Sequence, residues 1–186
     1  MEFDPVPPRF YRLPFAWQAA AILAGAAAMA VASQVEVVIG PVPLTFQSLM
    51  VILLAGAMGR RAALSVALWL LAAGLGAPVL SGGDGGWPEL MGPTQGYLVG
   101  MVLGAAVAGR MAERVRHVHT LFAAFVYGHG VLLLFGFLGL LRLYPPEDAA
   151  AYGVFPFVLT GLLKIAIATA LIYALAQTLS RRARPA

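Results

Sequence analysis

The chain of 186 residues contains one lysine, Lys164, inside a stretch from Ala149 to Ser180 that carries no other charge. A lysine at the middle of a membrane helix costs about 2.5–3.5 kcal/mol on insertion scales. An ionisable residue kept there marks a functional site by default. No carboxylate lies in any long apolar stretch of the chain. The ammonium therefore seeks a ligand's anion, snorkels to the interface, or pairs with a loop acid such as Asp84. Asp84 stands in the second candidate, the loop Pro78–Pro93, where Gly82, Gly83, Gly85 and Gly86 flank it and Trp87 follows. Glycine lets backbone approach a ligand closely, so this segment is either a ligand-covering loop or an ordinary flexible connection. Thr94, Gln95, Gly96 and Tyr97 follow it with further hydrogen-bonding groups. A third candidate is Gly40-Pro41-Val42-Pro43-Leu44-Thr45-Phe46-Gln47. Prolines suit the start of a helix. A helix running from Leu44 to Gly59 covers only ~24 Å, so it begins below the membrane surface. Non-helical backbone at that depth lines a cavity or is buried in protein. Thr45 and Gln47 then face a ligand, or Gln47 bonds a neighbouring helix.

These groups bind better than they catalyse. The chain has no cysteine, and His117, His119 and His129 are too scattered for a metal site. No glycine-rich phosphate loop ends in Gly-Lys-Ser/Thr, so ATP is not hydrolysed by that route. Ser48 or Ser65 with His129 is the one nucleophile pairing available, and neither serine sits in a nucleophile motif. The expectation is no catalytic residue, no metal and no cofactor.

The elements that must position these residues are membrane helices. Hydrophobic residues make up 61% of the chain and charged residues 11%, against about half and a quarter in soluble domains. Charges divide the sequence into six apolar stretches, the shortest of 20 residues, and about 20 residues cross a bilayer. We expect one all-α membrane domain over 1–186, a bundle of six transmembrane helices. The spans are 13–34, 44–59, 62–77, 94–112, 119–141 and 155–178, with an outer loop at 78–93. Ten arginines (9, 12, 60, 61, 110, 114, 116, 181, 182 and 184) fall on one side of this arrangement and only Arg142 on the other. The positive-inside rule makes the first side, with both termini, cytoplasmic. The arginines thus report topology, and nucleic acid is not an expected partner. Arg9, Arg12 and Ala30-Val31-Ala32 imitate a cleavable signal, but the apolar run between them is longer than such signals use. Ala20, Ala24, Ala28 and Ala32 line one face of the first span, where small residues let a partner protein or a sister helix approach. No internal repeat is evident, which weakens a stand-alone secondary carrier.

Three segments in order resemble the BioY family, the biotin-specific substrate-binding subunits of energy-coupling-factor (ECF) transporters. They are Gly40–Gln47 continuing through Leu53-Leu54-Ala55-Gly56, then Gly76-Ala77-Pro78-Val79 with Ser81–Gly86 and Gly92–Tyr97, then Pro156-Phe157 leading to Lys164. The chain departs from the family at Gln95, usually glycine, and at Gly161, usually an aspartate associated with the vitamin. The resemblance implies biotin as ligand. Lys164 would pair its carboxylate, Gln47 or Gln95 would donate to the urea carbonyl, and Asp84 would accept from a urea N–H. Thr45, Gly83 and Tyr97 complete the implied site. It also implies capture at the outer face and delivery to a transmembrane coupling protein with two ATPases, which alone use ATP. Ala20, Ala24 and Ala28 would be the docking face. The setting implied is the plasma membrane of a prokaryote.

Overall fold

The computed structural model describes residues 2–37 and 41–182. Gly40 and Arg184 lie outside these residues. Nine α-helices and one two-stranded ribbon occur among them. They run α1 (Pro7–Phe10), α2 (Phe15–Ser33), β1 (Glu36–Val37), β2 (Leu44–Thr45), α3 (Gln47–Met58), α4 (Ala62–Gly74), α5 (Trp87–Leu90), α6 (Gln95–Ala112), α7 (Val118–Leu140), α8 (Pro146–Gly153) and α9 (Phe155–Arg182). Helices α2, α3, α4, α6, α7 and α9 fall on the six apolar stretches. Among the described residues, Phe15–Ser33, Gln47–Gly74, Val118–Leu140 and Pro146–Arg182 are long and apolar enough to cross a membrane.

Residues 44 and 45 are not the first helical turn. They form β2, antiparallel to β1 with Glu36 opposite Thr45. Pro41 and Pro43 lack the N–H that a helix or a long ladder would use. The backbone therefore closes a short ribbon and enters α3 only at Gln47.

Contacts across the bundle fix the directions of the helices. Gly25 of α2 packs on Ser65 of α4 and Leu54 of α3, and Gly56 of α3 packs on Ile172 of α9 and Phe125 of α7. The tightest seam joins α6 and α7. A Cβ at Gly100 would stand 2.8 Å from the Leu132 carbonyl oxygen, and one at Gly104 2.5 Å from that of Gly128. Glycines four apart on α6 thus admit the α7 backbone directly. Ten of the eighteen residues of α6 are buried, against five of nineteen in α2. Helix α6 is the packed centre and trades apolar bulk for closeness, while α2 is peripheral.

One end of the bundle gathers the N-terminal segment, residues 59–61, 110–118 and 180–182. Arg9 donates to Ser180 Oγ at 2.9 Å, and the Phe3 N–H donates to the Arg116 carbonyl at 2.9 Å. Nine of the arginines lie in these segments, so we call this the arginine end. The other, loop end gathers the ribbon, residues 75–94 and residues 141–154.

Candidate functional site

At the loop end the 75–94 segment is folded. The Leu80 N–H donates to the Asp84 carbonyl at 2.9 Å and the Gly86 N–H to the Ala73 carbonyl at 2.7 Å. Buried Trp69 donates its Nε1–H to the Val79 carbonyl at 2.8 Å and anchors the loop to α4. Gly82, Gly83 and Gly86 take φ of 74°, 75° and 95°, a left-handed region costly for residues with a Cβ.

This loop, the ribbon and the loop-end turns of α3, α6, α7 and α9 enclose a cavity of about 340 Å³, within the range of small-molecule sites. Leu98, Met101, Leu132 and Phe157 give it apolar walls, and Glu36, Asp84 and Glu89 place carboxylates in its lining. Asp84 and Glu89 are exposed and so mark the mouth. Ser81 donates to Glu36 and ties the loop to the ribbon.

Thr45, Gln47, Asp84 and Tyr97 all line the cavity. Thr45 and Gln47 are buried and already committed. The Thr45 hydroxyl donates to Gln47 Oε1 at 2.9 Å, and Gln47 Nε2 donates to Ser33 Oγ of α2 at 2.8 Å. Ser33 in turn donates to the Met29 carbonyl at 2.8 Å. The Tyr97 hydroxyl is likewise spent on the Gly153 carbonyl, at 2.6 Å, so the ring offers the cavity a wall. Gly83 sits between the lining residues Gly82 and Asp84 without lining the cavity itself. Gln95 is turned away. It accepts from Arg142 and contacts Met91, which ties the start of α6 to the end of α7.

Lys164 lies behind the wall. Its Nζ donates to the Thr45 carbonyl at 2.6 Å and to Ser48 Oγ at 3.0 Å, and both residues line the cavity. Among the described residues no ion pair includes Lys164. It neither snorkels nor pairs with Asp84. Three donors minus two bonds leave one for a further acceptor.

Sequence reasoning missed Glu36, Glu89 and the apolar wall of Met101, Leu132 and Phe157. Glu36 carried one signal, a lone charge at the junction of two apolar stretches. Phe157 carried only its place in the segment leading to Lys164, and Met101 and Leu132 carried no signal, because every face of these helices is apolar. On the first span the alanine stripe is uneven. Ala20 and Ala24 are exposed, Ala28 half-buried, and Ala32 packed inside.

The model of the BioY family matches residues 10–181. The chain belongs to the BioY family. Among its relatives, the biotin transporter BioY of Thermotoga maritima is 35% identical over 144 residues, 76% of this chain and 85% of the relative. The biotin transporter BioY2 of Lactococcus lactis is 33% identical over 164 residues, 86% and 90% of the two chains. The fold is similar to that of a solved structure, the S-component for biotin from an ECF-type ABC transporter. The TM-score is 0.80 at 18% identity, covering 89% of this chain and 95% of the other. As a member of a transporter family with several apolar helices, this BioY chain is a membrane protein and not an enzyme.

Proposed function

We propose that the chain is the biotin-binding S component of an ECF-type vitamin transporter. The observation that carries the reading is Lys164, a half-buried ammonium with one donor to spare, backing a small cavity with apolar walls. Biotin matches this outline, with an apolar thioether ring and chain between a cyclic urea and a carboxylate. The names of the relatives support the same ligand. Thr45 and Ser48 position Lys164, Gln47 holds Thr45, Tyr97 walls the cavity, and Asp84 and Gly83 shape its mouth. Lys164→Ala should weaken biotin binding at least about tenfold, since a hydrogen bond to a charged donor contributes about 1.5–3 kcal/mol. Calorimetric titration of the purified protein checks this. Unchanged affinity would remove Lys164 from the site, and no biotin binding by the parent would remove the function.

Six spans with both termini in the cytoplasm follow from the arginine asymmetry. A reporter fused after Ala186 that faces outward would sink this orientation. The loop end then opens outward on a prokaryotic plasma membrane. Delivery inward requires a transmembrane coupling protein and two ATPases. The exposed Ala20 and Ala24, with Ala28 beside them, offer the coupling protein a close-packing face. Ala24→Leu should block assembly with such a module and leave biotin binding intact, because a large side chain holds helices apart. Normal assembly of this variant would place docking elsewhere.

A further inference from the structure

Three buried side-chain atoms lack a hydrogen-bond partner among the described residues: Gln18 Oε1, Ser65 Oγ and His129 Nδ1. Of the three, His129 reaches a residue that lines the cavity, Phe157. It is 95% buried, at 5% exposure. On α7 it lies one turn deeper than Leu132. Against α9 it sits on Gly161, one turn deeper than Phe157, and both Leu132 and Phe157 line the cavity. A Cβ at position 161 would overlap His129 Nε2 and stand 2.7 Å from Cδ2, so the ring takes the space that glycine leaves. Lys164 follows Gly161 by three residues, the spacing that makes helix neighbours. The imidazole thus packs on the turn of α9 that leads to Lys164.

The chemistry of the ring is set by what it faces. His129 Nε2 lies 3.5 Å from the Phe157 carbonyl oxygen, an acceptor. The neutral tautomer that suits this contact carries its proton on Nε2 and leaves Nδ1 as a bare acceptor. An unpaired buried acceptor is costly and calls for a partner in another state of the protein. One turn along α9 from Gly161, Lys164 keeps one donor beyond its bonds to Thr45 and Ser48. An acceptor and a donor set one helical turn apart along α9 suit the N–H and C=O of a cyclic urea.

We propose that His129 is a specificity-determining residue of the cavity floor, accepting a hydrogen bond from a urea N–H of the bound vitamin. The proposal rests on the biotin reading above. It turns the ligand so that the urea lies deep and the carboxylate stays near the water-exposed mouth. Magnitudes favour that choice. Water screens repulsion by the exposed mouth carboxylates, whereas taking a carboxylate out of water at the floor carries a larger desolvation penalty.

The test titrates detergent-purified protein with biotin, with biotin methyl ester, and with biotin methylated on both urea nitrogens. The parent should bind the ester within a few-fold of biotin and the methylated urea far more weakly. His129→Leu should lose about 5- to 100-fold in biotin affinity with no fall in thermal stability, since it removes an unpaired nitrogen. It should lose little more against the methylated urea. His129→Asn should restore part of the affinity. Gly161→Ala, which displaces the ring without altering it, should reproduce the same ligand pattern and serves if His129→Leu does not fold. Biotin bound as tightly by His129→Leu as by the parent overturns the proposal while leaving the transporter reading intact. So does a parent that rejects the ester and accepts the methylated urea. A parent that binds no biotin overturns both.

Discussion

At the arginine end, a Cβ on Gly109 of α6 would overlap the Gly59 carbonyl and stand 2.7 Å from the Arg60 nitrogen. At the loop end, the same helix begins beside a cavity of about 340 Å³. The arginine end is also strapped. Phe3, Val6 and Phe10 are buried under the bundle, and the Tyr11 hydroxyl donates to Glu113 Oε1 at 2.5 Å. The same oxygen accepts the Arg60 N–H at 2.9 Å, and Arg110 Nη1 donates to Glu113 Oε2 at 3.2 Å. Arg61 lies over the Tyr11 ring at 4.9 Å. The loop end carries its polar bonds within its own walls, through Lys164, Thr45, Gln47 and Ser33, and leaves room between them. One bundle can therefore be closed by backbone contact and charge at one end and held open by a braced polar wall at the other. The backbone contacts at the first end hold together the helices whose other ends wall the cavity.

The largest effect tests the closed end. Gly109→Ala meets backbone, which cannot swing aside as a side chain can. Overpacking of this kind costs about 1–3 kcal/mol or more, and the thermal midpoint should fall by many degrees with little change in the biotin affinity of the folded fraction. A midpoint equal to the parent's would show that the two ends are not packed so differently.

Ser33→Ala tests the open end at intermediate size. It leaves Gln47 Nε2 buried without its acceptor, a cost of about 1–3 kcal/mol. Because Gln47 holds Thr45 and Thr45 receives Lys164, part of that cost should appear as weaker biotin binding in a titration. If only stability falls, α2 supports the bundle and not the site.

The smallest effect is electrostatic. Burial by itself raises the Glu113 carboxyl, but the Tyr11 hydroxyl, the Arg60 N–H and Arg110 together hold it below the ordinary carboxylate value. Its contribution to stability is thus present above that ordinary value and lost as pH falls through the lowered one. Burial, then the Glu113 hydrogen bond, push Tyr11 up to about 12. Its contribution is present below its ordinary value of 10 and lost as pH rises through about 12. Water screens this surface cluster, so about 1 kcal/mol or less is at stake. Glu113→Gln should flatten the acid limb of a plot of thermal midpoint against pH. An acid limb unchanged by the substitution would assign it to other carboxylates.

Much of this protein was legible before any tertiary contact was known. Lipid as solvent forces long apolar stretches, and charges can sit only between them, so helices along those stretches and the arginine asymmetry show in one dimension. Lys164 stood out for the same reason, as a charge where none is tolerated without cause. Proline and glycine punctuation located the segments around Thr45 and Asp84. Tertiary structure decided what those residues touch. It set Lys164 on the Thr45 carbonyl and the Ser48 hydroxyl, spent the Tyr97 hydroxyl on Gly153, and turned Gln95 toward Arg142. It also brought Phe157 and Leu132 to the cavity, with His129 behind Phe157, from helices whose apolar faces all look alike. The physical reason is common to these cases. In lipid the hydrophobic pattern no longer separates inside from outside, so which face of a helix meets its neighbour depends on close backbone approach, as at Gly100, Gly104 and Gly161. A glycine in the sequence carries no mark of what will occupy the space it leaves.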